Sequence, residues 1–120
     1  MARILIAEDD DSLRQFLAKA LTSAGHDVDS AGDGIEAEAA VSTFEYDLLI
    51  ADIVMPGLDG IELARRACAT RRELRVMFIT GFAAVALKAR EMAPRQDARV
   101  LSKPFHLRDL VAEVDRLLAA

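Results

Sequence analysis

The chain has 120 residues, 52% of them hydrophobic and 29% charged, enough to bury roughly two-thirds of its unfolded surface in one core without staples. Its net charge of −5 argues against a general affinity for nucleic acid or anionic membrane surfaces. A single cysteine, Cys68, excludes an intrachain disulfide and a cysteine-based zinc site.

The first apolar run, Arg3–Ala7, reads as a buried strand. It is too short for a signal-peptide core and passes straight into Glu8-Asp9-Asp10-Asp11. No run approaches the ~20 apolar residues of a membrane helix. The expectation is therefore a cytoplasmic single domain over residues 1–120 with no output domain.

Asp11 or Ser12 can cap the first helix, Ser12 with Gln15 in a capping-box pattern. Its apolar positions, Leu13, Phe16, Leu17, Ala20 and Leu21, keep helical spacing until Gly25. Val28–Ala31 is a weak strand suited to a sheet edge, and His26 before it is expected in solvent. Gly32-Asp33-Gly34 precedes an alanine-rich helix from Ile35 to about Thr43. Leu48–Asp52 is the third strand, and Asp59 can cap a helix carrying Ile61, Leu63, Ala64, Ala67 and a half-buried Cys68. Val76–Thr80 is a fourth strand. Phe82 to about Met92 is a helix stopped by Pro94 and expected to be short or mobile. Val100–Ser102 is a fifth strand and Leu107–Leu118 a final helix. The methionines read as core filler. Strands alternating with helices predict βαβ units and a doubly wound α/β fold with a mostly parallel sheet.

In such sheets the site lies beyond the carboxyl ends of the strands, where strand order reverses. The first strand delivers Glu8 and Asp9 there, the third Asp52, the fourth Thr80 and the fifth Lys103. Two carboxylates about 4 Å apart repel by roughly 4 kcal/mol at an effective dielectric of 20, and one lysine cannot offset three of them. A hard divalent cation such as Mg²⁺ fits that oxygen set. The threonine hydroxyl and lysine ammonium suit phosphoryl oxygens, and an aspartate beside the metal can act as a nucleophile toward phosphorus.

"ILIAEDD", "LLIADIVMPGLDGIEL", "MFITG" and "LSKPF" together resemble the receiver domain of bacterial two-component response regulators, over residues 3 to about 118. The resemblance implies a flavodoxin-like, five-stranded parallel sheet in the order 2-1-3-4-5 with five helices. It implies that Asp52 is the phosphoacceptor and that Asp9 ligates Mg²⁺ directly while Glu8 assists, through a water. The Val54 backbone carbonyl is then a further ligand beside Asp52. Thr80, Gly81 and Lys103 contact the phosphoryl group, and Pro104 follows the lysine, often in a cis peptide. Such a protein is no enzyme beyond its own phosphorylation and dephosphorylation. Its phosphate comes from a histidine phosphotransferase or a sensor or hybrid histidine kinase. "FITGFAAVALKA" and "LSKPFHLRDLVAEV" are similar to a stand-alone receiver subfamily of alphaproteobacteria that regulates a Clp-type AAA+ protease. A phosphate shuttle without its own output is the alternative. A Mg²⁺-dependent phosphatase lacks here both a second acid near Asp52 and a substrate cap.

Three departures stand out. Glu8 replaces the more usual aspartate, and a water-bridged contact tolerates its extra methylene. Val100 stands where many receivers carry an aromatic that couples to the switching hydroxyl, leaving Phe82 or His106 as substitutes. Val54 and Phe82 flank the line of water attack and are both apolar, which predicts slow autodephosphorylation.

Overall fold

The computed structural model describes residues 2–119. Strands and helices alternate as β1 (Arg3–Ala7), α1 (Asp11–Ser23), β2 (Asp27–Ala31), α2 (Gly34–Thr43), β3 (Leu48–Asp52), α3 (Gly60–Thr70), β4 (Arg75–Thr80), α4 (Ala83–Met92), β5 (Arg99–Ser102) and α5 (Leu107–Ala119). All strand pairings are parallel, in the order β2-β1-β3-β4-β5. This is the doubly wound, flavodoxin-like arrangement that the sequence implied.

Alternation along each strand divides the core in two. Leu49, Ala51, Val76 and Phe78 face Ala37 and Val41 of α2 and Leu63, Ala64 and Ala67 of α3. Ile4, Ile6, Leu48, Ile50, Met77 and Ile79 face Leu17 and Leu21 of α1 and Leu110, Val114 and Leu117 of α5. A strand covered on both faces has no polar side, which is why β3 is an uninterrupted apolar run up to Asp52. Each fully buried Val, Leu, Ile, Phe or Met among them contributes roughly 1.5–3 kcal/mol by burial.

Three aspartates start three helices. Asp10, Asp33 and Asp59 each accept the backbone N–H three residues on, from Leu13, Glu36 and Glu62, at 2.8–2.9 Å. Asp10, and not Asp11 or Ser12, is thus the cap of α1. The Glu8 side chain accepts the Asp10 N–H at 3.0 Å, which folds the loop tightly and starts the helix early. Phe16, expected on the apolar face, is 55% exposed, because the stripe that meets the sheet is centred on Leu17 and Leu21. Met92 is likewise exposed, whereas Met55 and Met77 are buried.

His26 also departs from expectation. Gly25, at φ +99°, turns the chain back at the end of α1. The imidazole is thereby tucked in, with Nδ1 accepting the Ala2 N–H at 3.2 Å and Nε2 3.8 Å from Asp115. Cys68 is half-buried as expected, and burial pushes its thiol pKa up. No helix among the described residues is long and apolar enough to cross a membrane.

Candidate functional site

β1 is flanked by β2 on one side and β3 on the other, so the strand order reverses between β1 and β3. At that point the apolar runs of both strands end in acids. Glu8 follows Ala7 and is fully buried, Asp52 closes β3 at 6% exposure, and Asp9 stands in solvent. One carboxylate oxygen from each of the three lies within 4.8 Å of the others.

The neighbouring strands complete the pocket. Thr80 ends β4 and is fully buried. Its backbone carbonyl accepts the Lys103 N–H at 2.7 Å, which brings the end of β5 alongside. The Lys103–Pro104 peptide is cis. Lys103 Nζ then donates to Glu8 Oε1 at 3.1 Å and to Asp52 Oδ2 at 3.0 Å. Asp52 Oδ1 accepts the Val54 N–H at 3.2 Å. Thr80 Oγ1 accepts the Phe82 N–H at 3.1 Å, and its own proton has no acceptor among the described residues.

Close backbone packing holds β3 and its following loop in place. The Gly60 N–H donates to the Ile53 carbonyl at 3.0 Å, and a Cβ on Gly60 would sit 2.3 Å from the Asp52 carbonyl oxygen. Only glycine allows that approach.

The electrostatics are unbalanced. Burial pushes Glu8 up to about 7; the Asp10 N–H opposes this, the Asp52 charge adds to it, and Lys103 pulls it down. For Lys103, burial favours the neutral amine, but its bonds to Asp52 and Glu8 outweigh that and hold the ammonium above its ordinary range. One ammonium thus serves two buried carboxylates, while Asp9 has no hydrogen-bond partner among the described residues. The donors are all hard oxygens with spare lone pairs, which suits Mg²⁺ and not a soft metal.

The residues expected at the site are therefore brought together: Glu8, Asp9, Asp52, Thr80 and Lys103, with Val54, Gly81 and Phe82 at the rim. Val54 is 49% and Phe82 60% exposed, and a Cβ on Gly81 would meet nothing within 4 Å. Val100 pairs with Phe78 across β4 and β5 and packs into the core, while His106 is exposed at the start of α5. Two contributors escaped the sequence reading. Asp10 supports the Glu8 carboxylate, and Arg14 Nη1 donates to the Glu8 carbonyl at 2.9 Å. Arg14 sits six residues on, in a helix, with no motif to mark it.

Comparison with known proteins agrees with this geometry. The response regulator receiver domain family matches residues 4–115. The chain belongs to that family. This receiver is 56% identical over 120 residues to the response regulator receiver protein CpdR of Brucella abortus, covering all of this chain and 99% of that one. It is 37% identical to the transcriptional regulatory protein TcrA of Mycobacterium tuberculosis over 115 residues, 96% of this receiver but only 45% of that longer protein. Among solved structures, TrrA of Thermotoga maritima, in complex with Mg²⁺ and BeF, superposes with a TM-score of 0.86 at 28% identity, covering 98% of this receiver and 99% of that chain. The receiver domain of the Francisella response regulator 1452 gives 0.84 at 26% identity, with 99% and 98% covered. A response regulator receiver is not an enzyme in the ordinary sense, because it acts on no separate substrate.

Proposed function

We propose that this receiver is a stand-alone phosphoaspartate switch in which Asp52 accepts the phosphoryl group. A carboxylate oxygen of Asp52 attacks phosphorus on a phosphohistidine, the new O–P bond forms, and the N–P bond breaks with its electron pair leaving on the imidazole. Glu8, Asp9 and Asp52, with the Val54 carbonyl, would hold Mg²⁺, Glu8 through a water. When bound, the ion neutralises charge on the carboxylates and the transferred oxygens. Lys103 leaves its two carboxylates to pair with the phosphoryl group, Thr80 donates its hydroxyl proton to it, and Gly81 leaves its approach open.

Phosphorylation adds nearly two negative charges at Asp52. Thr80 and Lys103, drawn toward them, would pull in the loops after β4 and β5 and shift the population of a surface built from α4, β5 and α5. The observation that carries this reading is the Asp52 carboxylate at the mouth of β3, within 4.8 Å of Glu8 and Asp9 and bonded to Lys103. Label uptake from a small phosphodonor tests it: Asp52→Ala abolishes uptake, and unchanged uptake in that variant overturns the assignment.

The full-length match to CpdR supports a histidine phosphotransferase or hybrid histidine kinase as phosphate source. It also supports a Clp-type AAA+ protease as the regulated partner and a cytoplasmic setting. Binding of the wild type, with and without phosphorylation, to the protease's unfoldase measures that partnership directly. Fast return of phosphate to a phosphotransferase with no unfoldase affinity in either state reverses the conclusion in favour of a shuttle.

A further inference from the structure

Four hydrogen bonds hold Glu8. Its N–H donates to the Ala31 carbonyl at 3.1 Å, Oε2 accepts from the Asp10 N–H at 3.0 Å and Oε1 from Lys103 at 3.1 Å. The fourth is Arg14 Nη1 on the Glu8 carbonyl at 2.9 Å, and the switch chemistry above makes no use of it. Arg14 lies in the first turn of α1 (Asp11–Ser23), with its side chain 19% exposed and Nη2 on Asp11 Oδ1 at 2.5 Å. Its guanidinium reaches back beneath the β2–α2 turn, where a Cβ on Gly32 would come within 3.4 Å of Nη1. It is wedged between the carboxyl ends of β1 and β2.

The Glu8 carbonyl belongs to the peptide unit that leads into Asp9. That unit is planar, so fixing its oxygen also fixes the Asp9 nitrogen and Cα, and hence the direction in which the Asp9 side chain leaves the backbone. Asp9 is the one of the three acids that stands in solvent, and no side-chain bond among the described residues orients it. Orientation must then come from the backbone.

We infer that Arg14 is a positioning residue for Asp9, whose grip on the Glu8 carbonyl presets that carboxylate for a divalent cation. The inference rests on the metal reading given above. A competing effect has the opposite sign: a guanidinium near the site repels Mg²⁺, so its removal would tighten binding. Removing Arg14 also leaves Asp11, its partner at 2.5 Å, uncompensated, so this opposing effect is largest at low salt and is screened at high salt. Removing a hydrogen-bond partner that orients a metal ligand typically weakens metal affinity 10–100-fold. For a backbone-mediated effect the low end, about tenfold, is expected.

Calorimetric titration of Mg²⁺ into the full chain tests this, comparing the wild type with Arg14→Met and Arg14→Lys at low and high salt. At high salt, where the opposing effect is screened, Arg14→Met should bind about tenfold more weakly, and the deficit should shrink at low salt. Arg14→Lys, which keeps one donor for the Glu8 carbonyl, should stay within about threefold of the wild type. Amide exchange in the metal-free protein gives a second readout that general destabilisation does not mimic. In Arg14→Met the Asp10 amide, bonded to Glu8 Oε2, should exchange faster while those of β3 do not change. Equal or tighter Mg²⁺ binding by Arg14→Met at high salt, equal weakening by both variants, or unchanged exchange at Asp10 overturns the role of Arg14. A wild type that binds no Mg²⁺ overturns the metal reading itself, which sets that failure apart from the others.

Discussion

The two ends of one sheet handle charge in opposite ways. At the amino ends of β1, β2 and β3, the acids have local partners and open water. Arg3 pairs with Asp29 at 3.6 Å with both side chains about half-exposed, its N–H donates to Asp47 at 2.8 Å, and its guanidinium lies over the rings of Phe44 and Tyr46. Such exposed pairs contribute little and have nothing left to bind. At the carboxyl ends, the Glu8 and Asp52 side chains are 1% and 9% exposed and share Lys103, with Asp9 beside them. Buried like charges are costly unless compensated, so this end has the charge and the oxygen donors that suit a cation. The contrast locates function where the charge balance is incomplete.

The largest break in that contrast is the loss of the ammonium that its two buried carboxylates share. Lys103→Met leaves Glu8 and Asp52 uncompensated and should cost about 3 kcal/mol in the metal-free protein, the low end for breaking a buried pair. Glu8 is already held near 7, and without Lys103 it rises further. The variant can relieve the repulsion by taking up a proton, so its loss is smaller at pH 6 than at pH 8. Mg²⁺ should restore most of it, and thermal melts at the two pH values with and without the ion check both signs. Lys103→Met melting like the wild type at pH 8 without metal would mean that the end is not under electrostatic load.

Gly60→Ala strains the same end without touching a charge. Its Cβ would stand 2.3 Å from the Asp52 carbonyl oxygen, so backbone must move. A loss of about 2 kcal/mol is expected, within the range for overpacking, together with slower phosphorylation of Asp52. An equal melting temperature and an equal rate of label uptake would show that the loop yields freely.

The central strands β1, β3 and β4 were legible because burial on both faces leaves mainly apolar residues, and the strand ends then named Glu8, Asp9, Asp52, Thr80 and Lys103 as neighbours. Asp59 was legible as a cap because it precedes a periodic apolar run, whereas Asp33 was read only as part of a turn. Asp10 was not legible, because its place as a cap depends on a side-chain bond from Glu8 that no spacing encodes. Phe16 and Met92 escaped for a related reason: their exposure follows from how each helix is rotated on the sheet, and an apolar residue one step off the stripe looks the same in sequence. Arg14 escaped because its role runs through a backbone carbonyl. The metal role proposed for the Val54 carbonyl came from resemblance, not from its side chain.

A smaller effect separates the rim of the charged end from its floor. Val54 and Phe82 are 49% and 60% exposed; on the proposed function they flank the approach of water to phosphorylated Asp52, and neither side chain can hydrogen-bond it. Val54→Asn supplies a donor and an acceptor there, and orienting an attacking water should shorten the phosphoaspartate lifetime several-fold. Asp52 phosphorylation itself should proceed as before. Decay of label from the two proteins measures it, and an unchanged lifetime would mean that the apolar rim does not limit hydrolysis.

The smallest effect belongs to the balanced end and tests whether that end is inert. The Tyr46 hydroxyl donates to Asp29 Oδ2 at 2.7 Å. Burial first, then that bond and the Asp29 charge, push its pKa up to about 12 from 10.0, against a small opposing pull from Arg3. A group raised on folding contributes its stability below the unfolded pKa and loses it as pH climbs through the folded one. The contribution of Tyr46 is therefore complete below pH 10 and fades toward pH 12. Tyr46→Phe should cost about 1 kcal/mol at neutral pH, as for one hydrogen bond to a half-exposed carboxylate. It should also remove that part of the alkaline decline, so the two stability curves converge as pH rises. Mg²⁺ affinity and Asp52 phosphorylation should not change, because the paired charges at this end already satisfy one another. Altered Mg²⁺ binding in Tyr46→Phe would instead mean that the two ends of the sheet are coupled through β1 and β3.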